Sequence, residues 1–217
     1  MGQALHGRAQ LPDLGSTKKG NTTMSHKGYL VVMMQAPPAF EDEFNAWYDT
    51  EHIPERVAVP GFESGLRFVC LSGNPRFLAI YDTQSPEVLS SPEYLKVSFG
   101  NASPWTQRVT SRVKVERSAG VQVYPGNLVT GRATRVLLLR FRGLAASASE
   151  QIIEGLRANY EGRAETIQWR VLTNETPEGI DFIGLIELRA PIAEQIQLAP
   201  FGDCAHALDM MNTYAPY

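Results

Sequence analysis

The segment from Trp47 to Glu55, WYDTEHIPE, contains the residues whose types and spacing best suit chemistry. Tyr48 and His52 are four residues apart, so in a helix their side chains lie one above the other on the same face. His52 would occupy the last turn before Pro54, where the negative end of the helix dipole favours an imidazolium. Asp49, three residues before the histidine, can approach its ring. We therefore expect the pKa of His52 to be raised into the range useful for general acid–base catalysis.

A structural role for His52 remains an alternative at this point. A histidine at a helix end beside an acidic residue is more often a cap or a surface group than a catalyst. The acidic residues Asp49 and Glu51 point to different faces of the same helix, so this spacing does not favour a mechanism with paired carboxylates.

Three further residues are candidates for lining a ligand cavity. In a strand, Arg67 faces away from its neighbour Phe68, and Tyr81 faces away from Ile80. The alternatives are solvation at a sheet edge for Arg67 and a place in the core for Tyr81. Trp47 lies next to Tyr48 on the core-facing side of the predicted helix. We therefore expect Trp47, Arg67 and Tyr81 to contribute to substrate binding.

Motifs for nucleotide cofactors and metal ions are absent from the sequence. GxSxG, GxGxxG, GxxxxGK[ST] and HExxH do not occur. The other histidines, His6, His26 and His206, have no ligand spacing relative to His52 or to a pair of cysteines. The sequence therefore predicts no cofactor and no metal.

Composition favours a small-molecule ligand over other classes of partner. The 20 basic and 23 acidic residues are scattered and give a net charge of −3, with no basic run to follow a phosphate backbone, so nucleic acid is not expected. The longest apolar segments, such as Tyr29 to Met34, have the length of a strand, so no contact with a membrane is expected. Two cysteines, Cys70 and Cys204, in apolar surroundings favour a reducing, cytoplasmic location.

The order of predicted elements in the first half of the chain is βαββαβ. Residues 1–27 have no apolar periodicity and are predicted to form a flexible tail, and residues 28–123 form the first repeat. The predicted elements are a strand at Gly28 to Gln35, a helix from Ala39 that Pro54 ends or bends, strands at Ser64 to Ser72 and Arg76 to Thr83, a helix from Pro86 to about Val97 capped by Ser85, and a strand between Val109 and Val123.

The second half repeats this order in a degenerate form. A connection over residues 124–133 leads to a second repeat over residues 134–217. Its predicted elements are strands at Arg135 to Phe141, Thr166 to Thr173 and Asp181 to Leu188, a helix at Ser147 to Tyr160, and a weak last helix near Phe201 to Ala207. The match of FLAIYDTQSPEV to FIGLIELRAPIA, each an apolar strand followed by a predicted helix that begins at proline, indicates a duplication.

The predicted fold class is α+β, with two ferredoxin-like βαββαβ repeats that form an intrachain dimeric α+β barrel. Each repeat buries one face of its sheet under two helices, which gives a two-layer arrangement. We expect the two sheets to pack against each other within one chain, as two copies do when a single repeat dimerises. Whether two such chains also form a homodimer remains open.

The segment EFNAWYDTEHIPERVAVPGFESGLRF, followed by FLAIYD, SPEYL and SPWT, resembles proteins of the dimeric α+β barrel superfamily, close to the EthD-like group. That superfamily also includes muconolactone isomerase-like proteins, antibiotic-biosynthesis monooxygenases and haem-binding or haem-degrading members. The resemblance implies that a helix aromatic, Tyr48 or Trp47, and the following His52 line a cleft beneath the sheet. The second repeat has Asn159 and Tyr160 where this motif would fall and no histidine.

The leading hypothesis from the sequence is a cofactor-independent isomerase, cyclase, lyase or monooxygenase that acts on a small apolar carbonyl or aromatic compound. His52 would transfer the proton, Tyr48 would donate a hydrogen bond to the substrate oxygen, and Asp49 would orient the imidazole. Arg67 would anchor an anionic group. The alternatives are a non-catalytic protein that binds a small ligand, and a haem-binding protein with His52 as the axial ligand.

Overall fold

The computed structural model describes residues 26–192 and 195–217, except for the side chain of Phe99. The predicted tail of residues 1–27 lies outside the described residues apart from His26 and Lys27. His26 Nδ1 lies 2.9 Å from the carbonyl oxygen of Gln122, and the backbone N–H of Lys27 donates to the carbonyl of Gly126 at 2.8 Å. These two residues therefore belong to the folded part of the chain.

The described part of the chain contains eight strands, and seven of them overlap strands whose bounds were predicted. They are β1 (Gly28–Gln35), β2 (Phe62–Cys70), β3 (Phe77–Thr83), β4 (Lys114–Tyr124), β5 (Arg135–Leu144), β6 (Thr166–Thr176), β7 (Gly179–Leu188) and β8 (Leu208–Pro216). The first strand has the predicted bounds because its apolar and β-branched run ends at Pro37 and Pro38, which cannot continue the ladder. The last strand, β8, completes the predicted βαββαβ order of the second half, although no bounds were predicted for it.

The eight strands form one closed antiparallel barrel in the order β1, β3, β2, β8, β5, β7, β6, β4, with β4 returning to β1. Each half has the ferredoxin-like order, β4-β1-β3-β2 in the first and β8-β5-β7-β6 in the second. Two short seams join the halves, β2 with β8 over three residue pairs and β4 with β6 over three residue pairs. The intrachain α+β barrel predicted from the sequence is thus confirmed.

Among the described residues, five α-helices cover the outer faces of the barrel. They are α1 (Glu41–Trp47), α2 (Ile53–Val57), α3 (Pro92–Leu95), α4 (Pro104–Thr110) and α5 (Ser149–Tyr160). Within the described residues, no helix is long and apolar enough to cross a bilayer. The helices pack against the outer face of the sheet, and side chains of the strands fill the barrel interior.

The predicted helix continues through Pro54. Helices α1 and α2 are joined by a π-helical turn over Tyr48–His52, so the chain stays helical from Glu41 to Val57. Pro54 is the second residue of α2, which directly follows the end of the π turn. A π turn inserts one extra residue per turn and is often found at functional sites. It moves His52 and the residues that follow it relative to α1.

Two other predicted helices differ from the structure. Ser85 precedes a 3-10 turn over Pro86–Ser90 and its side chain makes no cap hydrogen bond. The α-helix begins within the next Ser-Pro-Glu sequence, after Ser91, whose side chain accepts a hydrogen bond from the N–H of Tyr94 at 3.2 Å. The helix expected to begin at Pro191 is absent from the described residues there. A 3-10 segment over Ala199–Ala207, kinked at Gly202, precedes β8.

The core has three layers of buried side chains. The barrel interior is filled from alternate residues of both halves, including Tyr29, Val31 and Met33 of β1. The opposite face of β1 packs with Phe44 and Trp47 of α1 in a second cluster, and α5 packs on the second half in a third. Alternation along each strand therefore separates an interior layer from two helix-covered layers.

One end of the barrel interior contains a buried charged network. Arg170 Nη1 donates to Asp82 Oδ1 at 2.6 Å, and Arg170 Nη2 lies 3.6 Å from Glu187 Oε1. The backbone N–H groups of Thr130 and Gly131 donate to these two carboxylates at 2.7 and 2.9 Å. The network therefore fastens the connection between the halves to strands β3, β6 and β7.

Candidate functional site

A cavity of about 210 Å³ lies in the first half, between the outer face of β1 and β4 and the helices that cover it. Its apolar wall is formed by side chains from the two strands and the loop before α4: Leu30, Val32, Met34, Val115 and Ala102. Its polar lining comes from the helical segments, from Ser98 and from β4: His52, Arg56, Tyr94, Ser98, Thr106, Gln107, Thr110 and Arg117.

The sequence places these groups together through simple periodicities. Leu30, Val32 and Met34 alternate with the barrel-interior residues of β1, so all three face the helices. His52 and Arg56 are four residues apart in the continuous helix and lie on one face. A second depression, of about 500 Å³ in the second half, is lined by Arg163, Pro191 and neighbouring residues. Among the described residues it contains no buried polar atom that lacks a partner.

His52 is buried and lines the cavity, with its ring 4.3 Å from that of Trp47 and 5.1 Å from that of Tyr48. Its Nδ1 is buried without a hydrogen-bond partner among the described residues. Burial first, and then the positive charges of Arg56 and Arg67, lower the pKa of His52 from 6.5 to about 3. The expectation of a raised pKa is therefore wrong, because the ring lies inside the protein beside two cations, and the histidine is neutral.

Asp49 is turned away from His52 and binds Arg67 instead. Arg67 Nη1 donates to Asp49 Oδ1 at 2.5 Å, and Arg67 Nη2 donates to Asn45 Oδ1 at 2.6 Å. The guanidinium also lies 4.5 Å from the centre of the Tyr48 ring. Arg67 thus faces away from Phe68 as predicted and holds β2 against α1, but it does not line the cavity. The predicted orienting role of Asp49 has no support in this geometry.

Tyr48 and Tyr81 are buried beside the site and not in its lining. Neither hydroxyl has a hydrogen-bond partner in suitable geometry among the described residues. The two hydroxyls are close enough to influence each other's pKa, and burial raises that of Tyr48 to about 12 and that of Tyr81 well above its ordinary value. Tyr48 therefore supports the His52 ring by packing, and a hydrogen bond from its hydroxyl to a substrate remains a prediction.

Trp47 connects the site to α4 and is not itself in the lining. Its Nε1 donates to Thr106 Oγ1 at 2.9 Å, and that hydroxyl donates to Glu51 Oε1 at 3.2 Å. The same carboxylate accepts a short hydrogen bond from Ser103, the N-cap of α4, whose Oγ accepts from the N–H of Thr106. Glu51, which had no assigned role, thereby fixes the helix that closes one side of the cavity.

Arg56 is the functional candidate that the sequence pattern did not single out. It lines the cavity with only 5% of its surface exposed. Its Nη1 donates to the carbonyl of Val97 at 2.6 Å and to Glu55 Oε2 at 3.3 Å, and its guanidinium lies 5.5 Å from the centre of the Tyr94 ring. Its position four residues after His52 was the available signal, since both fall on one helix face.

Among the residues that the structure describes, side chains fill the space beside the first helix of the second half. At the corresponding place, Gly155 of α5 lies against the Phe201 ring, and a Cβ added at Gly155 would be only 2.2 Å from Phe201. Asn159 and Tyr160 are buried there, and Asn159 Nδ2 donates to the carbonyl of Gln197 at 3.0 Å. The lining of the cavity described above comes from the first half of the chain.

The site residues do not fit a haem or a metal ion. The cavity of about 210 Å³ is smaller than the range of about 300–1,000 Å³ that drug-sized ligands occupy. A porphyrin, with four linked pyrrole rings, does not fit a cavity of this volume, and the ring of His52 is packed against Trp47. Within the described part of the chain, no cluster of histidine, cysteine and acidic residues could hold a metal.

Comparison with known proteins gives a fold assignment from structure alone. No protein-family profile and no curated protein sequence matches the chain. An anthrone oxidase-like protein is similar with a TM-score of 0.64 and 14% identity, covering 89% of this chain and 92% of that one. A chlorite dismutase variant from Candidatus Nitrospira defluvii has a TM-score of 0.54 and 11% identity over 90% and 92%. A candidate monooxygenase from Lactobacillus acidophilus has a TM-score of 0.52 and 8% identity, covering 89% of this chain and 94% of that one.

These similarities, with the closed eight-stranded barrel, give the chain the fold of the dimeric α+β barrel superfamily. Both halves of the barrel lie in one chain. Identities of 8–14% establish the fold and not a reaction. The closeness to the EthD-like group remains a prediction from the sequence motif.

Proposed function

We propose that the chain is a cofactor-independent enzyme that acts on a small, largely apolar carbonyl or aromatic compound bound in the first-half cavity. The observation that supports it best is a neutral His52, with a buried Nδ1 that lacks a partner, lining a cavity whose opposite wall is apolar. Pockets that combine an apolar wall with a few converging polar groups are the usual form of small-molecule sites.

The size of the cavity limits the ligand to about one ring. An apolar cavity of about 150 Å³ holds benzene. The cavity here, about 210 Å³, has room for one ring with one or two substituents. Leu30, Val32 and Met34 would contact the ring, and the polar groups on the helical side would contact a substituent oxygen.

The chemistry that this arrangement supports is removal of a proton from a carbon next to a carbonyl. The C–H bond breaks, its electron pair moves to the carbonyl oxygen, and the proton goes to a ring nitrogen of His52. Arg56 would stabilise the oxyanion that forms. The pKa of about 3 applies to the site without this negative charge, and a developing oxyanion favours the imidazolium. Isomerisation, cyclisation, elimination and reaction with dioxygen can all begin from the enolate.

The names of two similar structures, an anthrone oxidase-like protein and a candidate monooxygenase, support a reaction of this kind. In this arrangement Tyr48 and Trp47 are positioning residues, because they pack on the His52 ring and do not line the cavity. Arg67 has the same role from the other side of Tyr48. The proposed location is the cytoplasm, as the sequence predicts, and the proposed ligand is a small metabolite.

The second candidate is a non-catalytic protein that binds the same class of compound. The lowered pKa of His52 favours it, since a histidine with a pKa near 3 is a weak base. In that case His52 donates or accepts a hydrogen bond and no proton moves.

Hydrogen–deuterium exchange separates the two candidates. Acetophenone and cyclohexanone would be incubated with the protein in D₂O, and deuterium at the carbon next to the carbonyl would be measured by mass spectrometry. The enzyme hypothesis predicts exchange above the protein-free rate, lost in His52→Gln and kept in His206→Gln, which changes an exposed histidine outside the cavity. Binding of either ketone without exchange would favour the accessory protein, and exchange that His52→Gln retains would reject His52 as the base.

A further inference from the structure

We infer that the ligand of the first-half cavity carries an acidic oxygen, as a carboxylate, phenolate or enolate, and that Arg56 selects it. This inference rests on the proposed function, because it concerns the same cavity, but it names a substrate class that neither the fold nor the histidine specifies. The juxtaposition that supports it is a buried guanidinium with unused donors beside a second buried polar group without a partner.

Arg56 has N–H groups that are available for further hydrogen bonds. Both of its hydrogen bonds come from Nη1. Within the part of the chain that the structure describes, Nε and Nη2 donate no hydrogen bond. A guanidinium carries five N–H donors in a planar fork that matches two oxygens of an anion. These donors would therefore form hydrogen bonds with a negatively charged oxygen of a ligand in the cavity.

Ser98 supplies a second donor on the same side. Its side chain is 3% exposed, it lines the cavity, and its Oγ has no hydrogen-bond partner among the described residues. Buried hydroxyls in folded proteins are almost always hydrogen-bonded. Arg56, Ser98 and His52 thus place three buried polar groups around one cavity, each with capacity for a further bond.

The charge of the lining also favours an anion. It contains two arginines, Arg56 and Arg117, and no aspartate or glutamate. The carboxylate nearest to Arg56 is that of Glu55, which lies 3.3 Å away from Nη1 and outside the lining. Glu55 is partly exposed to solvent, which screens its charge at Arg56. A buried cation that is only partly compensated gains from an anionic ligand.

The volume and the apolar wall exclude most other anions. Inorganic phosphate would leave Leu30, Val32 and Met34 without contacts, and a nucleotide exceeds about 210 Å³. A one-ring acid satisfies both sides of the cavity, with the ring on β1 and the oxygen at Arg56.

The test uses matched pairs of small probes and isothermal titration calorimetry. Benzoate is compared with benzamide, and ionised 4-nitrophenol with 4-nitroanisole. We expect each anion to bind the wild-type protein at least about tenfold more tightly than its neutral partner, the effect of a charge-assisted hydrogen bond. Preference in only one pair would assign the site to carboxylates or to phenolates.

Variants identify the residue responsible. Arg56→Gln should remove the preference, Arg56→Lys should retain part of it, and Arg76→Gln, an exposed arginine outside the cavity, should leave it unchanged. If Arg56→Gln does not fold, the wild-type comparison alone decides. Equal binding of charged and neutral probes would overturn the substrate class and leave the proposed function standing. If no probe binds, the cavity is not a ligand site and both proposals fail.

Discussion

Acid sensitivity is the sharpest consequence of burying His52 as a neutral ring. Its pKa is lowered from 6.5 to about 3 in the folded protein. Between these two values the unfolded chain binds a proton at His52 that the folded chain does not bind. The free energy of unfolding therefore falls as the pH falls through this window, and the full contribution is present above pH 6.5.

The magnitude follows from linkage. Each unit of pKa difference corresponds to about 1.4 kcal/mol. Because the unfolded chain protonates at His52 between about pH 7 and about pH 5 and the folded chain does not, this residue lowers the free energy of unfolding by about 2 kcal/mol over that range. This is a substantial fraction of the stability of a domain, which is about 5–15 kcal/mol. At about pH 5 most carboxylates are still ionised, so His52 dominates the change.

Urea denaturation of the wild type and of His52→Gln at both pH values measures this effect. The variant loses ring packing against Trp47 at either pH, but it has no titrating group at position 52, so its stability should fall by about 2 kcal/mol less than that of the wild type. Other groups, including Glu187 with its raised pKa, titrate in both proteins and cancel in the comparison. Equal losses in the two proteins would refute the burial of a neutral His52.

Three further outcomes are expected. Arg170→Met should lower the free energy of unfolding by about 3–5 kcal/mol, because it leaves the buried Asp82 carboxylate without its cation, whereas Arg76→Met at an exposed ion pair should cost less than about 1 kcal/mol in the same denaturation assay. Tyr48→Phe removes a buried hydroxyl without a partner among the described residues, so the free energy of unfolding should stay equal or rise by up to about 1 kcal/mol. Its affinity for benzoate should not change, and a tenfold weaker affinity in calorimetry would show that the hydroxyl donates the predicted hydrogen bond to the ligand. Removing residues 1–23 should leave the melting temperature nearly unchanged in calorimetry, and a drop of more than about 5 °C would show that this segment packs on the barrel.

Local sequence patterns predicted the parts of the fold that depend on local interactions. The run Gly28–Gln35 is apolar and β-branched and ends at two prolines, and it forms a strand with those bounds. The period of Phe44 and Trp47 predicted the face of α1 that is buried. The βαββαβ order followed, and with it the barrel, because few topologies bury one face of each sheet and each helix.

The site depended on contacts between distant residues, and there the sequence was a weaker guide. Asp49 lies near His52 in the chain, but Arg67 on another strand takes its carboxylate. The helix dipole argument for a raised pKa treated His52 as a helix-end group, whereas α2 continues the helix and the rings of Trp47 and Tyr48 pack against the imidazole. The role of Arg56 became visible only once its burial was known. Contacts with residues distant in the chain decided the position of Asp49, and burial decided the pKa of His52 and the role of Arg56.

The two short seams between the halves have a consequence for how the barrel holds together. Three residue pairs at each seam join β2 to β8 and β4 to β6, and residues 125–134 connect the halves covalently. Closure of the barrel is thus intramolecular, at an effective concentration set by a short tether. Dilution cannot separate the halves, unlike those of a barrel made from two chains. Because the lining of the cavity comes from one half, each barrel should bind its ligand with a stoichiometry of one.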